Sequence, residues 1–186
     1  STPIKSSAAS DVYKRQGVLA GDALLNYAFE TAAEAFDKST DLRRTAKALQ
    51  ILSRKAGIYG MIGGQCADIC AEELPSDQVT KELLWYIHKN KTAALIEAAL
   101  MIGAVLAGAP DEAVKKLEQA AENIGIAFQI QDDILDVTSS LEVLGKPVGS
   151  DEKNHKVTYV RLNGLEQSKN CLLYTSDAAD DLIGVD

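Results

Sequence analysis

The sequence predicts an all-α protein, a helical bundle, and three observations predict it. Apolar residues recur near every 3.6 positions through most of the chain. Glycine and proline are scarce, 13 and 4 among 186 residues, so few positions break an element. No stretch of useful length alternates apolar and polar residues as a half-buried strand does.

In order along the chain, "GDALLNYAFETAAEAF" sets Leu24, Leu25, Ala28, Phe29, Ala32 and Phe36 on one helical stripe. Asp41 to Ala56 continues with Leu42, Ala46, Leu49 and Leu52 on one side and Arg43, Arg44, Lys47 and Arg54 largely elsewhere, and Gly57 ends or kinks it. "IYGMIGGQCADICAEEL" is apolar and rich in small residues, which lets helices approach closely. Pro75 stops it, and Ser76 or Asp77 can cap the next helix, expected to reach about His88. Lys91 to Ala107 is a core helix, and Pro110–Asp111 starts another that runs to about Val137. "SSLEVLGKPVGSDEKNHK" is a polar loop, after which helix resumes from Thr158 to about Lys169. The ends differ. Residues 1–16 and 170–186 resemble translated sequencing-adapter sequence or disordered tails, leaving 17–169 as a partial domain incomplete at both ends.

Acidic residues outnumber basic ones 27 to 19, for a net charge of −8. That balance disfavours nucleic acid, whose binding rests on basic residues facing phosphates. It leaves anionic substrates open, because lysines or bound cations reverse the sign locally. Cys66, Cys70 and Cys171 form no disulfide framework, and no further ligands complete a zinc site. No signal peptide is evident. "TAALIEAALMIGAVLAGA" is near the lower length limit of a membrane span, but Glu97 lies within it, so a core helix rather than a span is expected. A cytoplasmic location is the corresponding expectation.

The acidic run "QIQDDILDV" carries the chemistry. On a helix Asp132 and Asp136 share a face, and Asp133 is three residues from Asp136, so all three converge on one edge. Like charges at that spacing cost about 0.2–0.5 kcal/mol per pair in water. A hard cation removes the cost: Mg²⁺ takes one or two carboxylates and fills other positions with water or substrate phosphates. The plainer reading is a solvated polar stripe. Lys91 and Thr92 open an apolar helix, where a lysine is wrongly signed for the helix dipole unless an anion sits there. Lys146 and Lys156 flank the polar loop. Each of these lysines also reads as ordinary surface charge.

"GIAFQIQDDILDV" (125–137), "GKPVGSD" (145–151) and "KVTYVRLNGLE" (156–166) together resemble the second aspartate-rich region of the trans-isoprenyl diphosphate synthases, the polyprenyl synthetase family that makes farnesyl and geranylgeranyl diphosphate. "LAGDALLNYAFE" (19–30), "GGQCADI" (63–69) and "HKNKTAALIEAA" (88–99) match in order, so the resemblance covers roughly 17 to 168. It implies condensation of isopentenyl diphosphate with an allylic diphosphate, with release of pyrophosphate, in an apolar helical cavity. It implies that Asp132, Asp133 and Asp136 hold Mg²⁺ against the allylic diphosphate. Lys91, Lys146 and Lys156 would contact the diphosphate, Thr92 and Gln129 would line the site near the developing cation, and Gln65 and Asp68 would face the cavity. It also implies a homodimer.

The sequence departs from the family in one respect. The family carries two aspartate-rich regions, and these 186 residues hold a single DDxxD run, Asp132 to Asp136. "DLRR" at 41–44 and "DAADD" at 177–181 stand in the wrong places or order. Little or no activity is therefore expected of this chain by itself. A non-catalytic partner subunit of a synthase, or a class I terpene cyclase, are the alternatives.

Overall fold

The computed structural model describes residues 3–138 and 157–183, with side chains described from residue 13. The described residues are helical with no strand, as expected. They divide into two units, one ending at Thr45 and one beginning at Ala46.

The first unit holds α1 (Pro3–Ala33), α2 (Ala35–Lys38) and the start of α3 (Leu42–Ala56). α1 includes residues 3–16, a segment expected to be a tail. Nothing from Ile4 to Gln16 is glycine or proline, so no residue there stops a helix from propagating. Asp41 caps α3: its carboxylate accepts the Arg44 backbone N–H at 3.1 Å, satisfying one of the orphan donors of the first turn.

The second unit holds the rest of α3, then α4 (Met61–Glu72), α5 (Lys81–His88), a π-helical turn (Lys89–Ala93), α6 (Ala94–Ala107), α7 (Asp111–Thr138), α8 (Tyr159–Asn163) and α9 (Leu165–Ile183). α7 packs along both α6 and α9. Its Ile126, Ile130 and Ile134, four apart, form one buried stripe against Tyr159, Val160, Leu165, Cys171 and Leu172. Each such isoleucine contributes roughly 2 kcal/mol of burial.

Three boundaries differ from expectation. Thr80, not Ser76 or Asp77, caps α5, its hydroxyl accepting the Leu83 N–H at 3.2 Å. Residues 75–78 are tied into a turn by Gln78 N–H to the Pro75 carbonyl, 2.9 Å, so helix cannot begin there. The segment after Thr158 is two helices rather than one, because Gly164 adopts φ +81°, a left-handed value that glycine tolerates and other residues resist. α9 then carries helix through residues 170–183, where a tail was expected.

The largest difference lies in the middle. Lys91 and Thr92 do not open a helix. Helix runs from Lys81 to Ala107, and the π-helical turn is a one-residue bulge inside it. Packing accounts for its position. Gly64 on α4 lies against Asn90 and Lys91, and Gly125 on α7 lies against Ala93, both so closely that a Cβ would overlap their atoms. Among the described residues this is the one helix long and apolar enough to cross a bilayer. Glu97, in its middle, is nonetheless buried in an ion pair with Lys55, which suits a core helix.

Candidate functional site

Two glycines bring three helices to one cleft. Gly64 seats α4 on the π-helical turn, and Asp68, one turn further along the same face of α4, meets the Lys91 ammonium in a largely buried ion pair. Gly125 seats α7 on the other side of that turn. Gln129 and Asp132 follow Gly125 at four and seven residues, hence on the same face of α7. On the helix bearing the turn, Leu84, Ile87, His88 and Lys91 recur at spacings of three and four.

These residues converge. Asp68, His88, Lys91, Gln129, Asp132 and Asp133 supply the polar lining of a cavity of about 40 Å³, with Leu84, Ile87 and Val157 as its apolar wall. Among the described residues the cleft thus joins one lysine to three carboxylates, beside an apolar surface. Such a site suits an anionic group only together with a cation.

The three aspartates of the run occupy different environments. Asp132 lines the cleft. Asp133 lines it too, but its Oδ2 accepts the Tyr159 backbone N–H at 2.7 Å. Asp136, one turn beyond Asp132, is almost wholly buried and is not part of the lining. Among the described residues, no three carboxylate, imidazole or thiolate groups are gathered as a closed metal cage. The expected convergence on one edge is therefore only partial, because 100° per residue spreads adjacent aspartates around the helix.

Other expected residues stand apart. Thr92 is half-buried in the π-helical turn and Gln65 is exposed, and neither lines the cleft. Lys146 and Lys156 lie outside the described residues. The apolar wall of Leu84, Ile87 and Val157 escaped the sequence reading, as did one polar lining residue: His88, buried three positions before Lys91. Its spacing from Lys91 was the available signal, obscured because the π-helical turn was not foreseen.

A second set of charges lies on the other side of the turn. Lys55 Nζ pairs with both Glu97 and Glu118, the latter at 2.7 Å, and Lys89 Nζ pairs with Glu122 at 2.8 Å. Burial opposes the Lys55 charge, but the Glu118 and Glu97 carboxylates outweigh it and hold the lysine pKa above its usual value. Burial pushes the Glu97 carboxyl above its ordinary range despite Lys55. Its Oε1 is buried without a hydrogen-bond partner, the environment in which a carboxylate resists ionisation. Behind Asp133, burial and then the Cys171 thiol lift the Tyr159 phenol to about 12.

The sequence pattern of the family described as Polyprenyl synthetase matches residues 5–180. The chain is 43% identical over 170 residues to geranylgeranyl pyrophosphate synthase 11, chloroplastic, of Arabidopsis thaliana, covering 91% of this chain and 48% of that protein. It is 44% identical to geranylgeranyl pyrophosphate synthase 3, chloroplastic, of the same plant, over 91% of this chain and 47% of the relative. In structure it resembles a Helicobacter pylori geranyltransferase complexed with magnesium and isoprenyl diphosphate, with TM-score 0.76 and 36% identity, covering 90% of this chain and 53% of that one. It likewise resembles the geranylgeranyl pyrophosphate synthetase of Pyrococcus horikoshii Ot3, with TM-score 0.68 and 28% identity over 90% and 58%. The chain spans about half the length of the relatives it matches.

Proposed function

The chain belongs to the polyprenyl synthetase family, and from that premise we propose that it carries the allylic-diphosphate half of a prenyltransferase site. The whole protein would join isopentenyl diphosphate to an allylic diphosphate, yielding a longer linear diphosphate of the farnesyl or geranylgeranyl class. The observation that carries this reading is the meeting of Lys91, Gln129, Asp132 and Asp133 in one cleft with an apolar wall.

The residues fit magnesium. Carboxylate oxygens are the hard donors it prefers, and it needs only one or two of them when phosphate oxygens and water fill the remainder. Asp132 and Asp133 face the cleft, and Asp136 extends the run. When bound, the ion stabilises charge on the departing pyrophosphate. The chain's own groups do the rest. Lys91, held by Asp68, aims its ammonium at diphosphate oxygens as the allylic C–O bond breaks and pyrophosphate leaves with the electron pair. Gln129 presents an oxygen dipole toward the allylic cation, and Thr92, outside the cleft lining, would add its hydroxyl and backbone carbonyl from the adjoining π-helical turn. Leu84, Ile87 and Val157 limit water access to it. The double bond of isopentenyl diphosphate then attacks, and a proton is lost. Lys146 and Lys156 belong to the diphosphate contacts in this reading, and Gln65 to its periphery.

Titration of the chain with geranyl diphosphate by calorimetry tests the reading. Saturable binding is expected with Mg²⁺ present. Lys91→Ala removes a hydrogen bond to a charged group, a loss of about 1.5–3 kcal/mol, so affinity should fall by about 10- to 100-fold. Binding indifferent to both the metal and Lys91 would overturn it. Condensation by this chain alone is expected to be slight, since it holds one DDxxD run. Homodimerisation is part of the proposal, supported by exposed apolar side chains such as Tyr13, Leu19, Leu24 and Tyr27 on α1, and light scattering of the purified protein checks it. A cytoplasmic site of action is likewise proposed, on the ground that diphosphate substrates are water-soluble, although the Arabidopsis relatives are named chloroplastic.

A further inference from the structure

The π-helical turn is held from two sides by matching devices. Its wide loop closes where the Ala94 N–H donates to the Lys89 carbonyl, five residues back. Lys89 and Lys91 are two residues apart, so their side chains leave the helix in different directions. Lys91 turns to α4 and pairs with Asp68. Lys89 turns to α7, where its Nζ lies 2.8 Å from Glu122 Oε2. Each neighbouring helix thus supplies a glycine that admits the backbone of the turn and, one helical turn away, a carboxylate for one of its lysines: Gly64 and Asp68 on α4, Gly125 and Glu122 on α7. The glycine contacts set how closely the helices approach. Contacts between such small groups resist rotation weakly, so the two charge-assisted ties set direction. The Glu122 side chain is 26% exposed, so salt screens its pair with Lys89 incompletely. Neither Lys89 nor Glu122 lines the cleft.

Resting on the functional reading above, we propose that Glu122 is a positioning residue for Lys91: by anchoring the Lys89 ammonium, it holds the π-helical turn in the register that aims Lys91 at Asp68 and the cleft. Without that anchor the turn is free to shift its extra residue along the helix, and Lys91 shifts with it.

The sign of the effect separates positioning from plain electrostatics. Glu122→Lys and Glu122→Gln both make the chain less acidic, so long-range attraction alone would strengthen anion binding. The 186-residue chain, these two variants and the charge-swapped Glu122→Lys/Lys89→Glu double variant would be titrated with inorganic pyrophosphate in Mg²⁺. Glu122→Lys should weaken binding about tenfold, the lower end of the loss expected for removing Lys91 itself. Glu122→Gln, nearly unchanged in size, should weaken it about threefold, as befits a part-exposed pair. The swapped variant should return to within about threefold of the parent. Binding unchanged or tighter in both single variants, or as weak in the swapped variant as in Glu122→Lys, would overturn the assignment. A second arm needs no ligand. Urea unfolding of Lys91→Met, Asp68→Asn and the pair measures the coupling of Lys91 to Asp68, and Glu122→Gln should cut that coupling to about half or less. If the parent chain binds no pyrophosphate, the functional reading fails, but this arm still decides: unchanged coupling refutes the positioning role.

Discussion

An added Cβ at Gly64 would sit 2.2 Å from the Lys91 nitrogen and 2.6 Å from the Asn90 carbonyl carbon, and at Gly125 it would sit 2.4 Å from the Ala93 Cα. Backbone atoms cannot swing aside as a side-chain tip can. Alanine gains up to about 1 kcal/mol of helix propensity over glycine, and overpacking costs about 1–3 kcal/mol, so the clash should win. Gly64→Ala and Gly125→Ala are each expected to lower stability by about 1–2 kcal/mol in urea unfolding. Gly103, with nothing within 4 Å of its added Cβ, is the control and should gain stability as alanine. At this scale the sequence was partly legible. It named Lys91, Asp68, Gln129 and Asp132, and these do share a cleft. It could not tell that Asp68 pairs with Lys91, because a lysine and an aspartate 23 residues apart carry no mark of their meeting. Nor could it separate Asp133 from Asp136, since their different surroundings depend on α8 and on burial rather than on spacing.

Among the elements, the π-helical turn decides most. Periodicity located helix on both sides of Lys89–Ala93 but read the phase change between them as an end and a new start. Deleting Asn90 would restore ordinary α-helix and rotate Lys91 about 100° relative to His88 or Ala94. Circular dichroism should then show undiminished helix, while Mg²⁺-dependent pyrophosphate binding is lost. The ion pairs behind the turn make a separate prediction. Lys55→Met leaves buried Glu97 without its cation, at a cost of about 3 kcal/mol near neutral pH. Glu97 already has a folded-state pKa above its ordinary 4.5, and removing Lys55 raises it further. A carboxyl raised on folding binds more protons when folded, so stability is highest below its unfolded pKa and falls as pH rises through the folded value. Thermal melts of Lys55→Met should therefore regain stability as pH drops from 7 toward 5, and adding Glu97→Gln should remove that pH dependence. Should the single variant melt identically across that range, Lys55 is not what keeps Glu97 ionised.

For the whole molecule, charge is the governing quantity. A net charge of −8 and a cleft with three carboxylates to one described lysine repel a diphosphate unless a divalent cation accompanies it. Adding EDTA in calorimetry should reduce pyrophosphate binding to an undetectable level, and titrating Mg²⁺ back should restore it. Pyrophosphate bound equally well in EDTA would mean that the lysines suffice. The all-α class was plain from the sequence because long apolar periodicity and scarce breakers leave few other folds. The ends were not: they lack a clear apolar stripe, yet residues 4–16 and 170–183 hold no glycine or proline, and helix persists through them. The π-helical turn also bears on redesign. It works as a phase shifter, letting the cleft-facing half of one continuous rod and its ion-paired half obey separate residue registers. An engineer who grafts this cleft onto an ideal straight helix must carry the surplus residue along, or every side chain beyond it will point at the wrong neighbour.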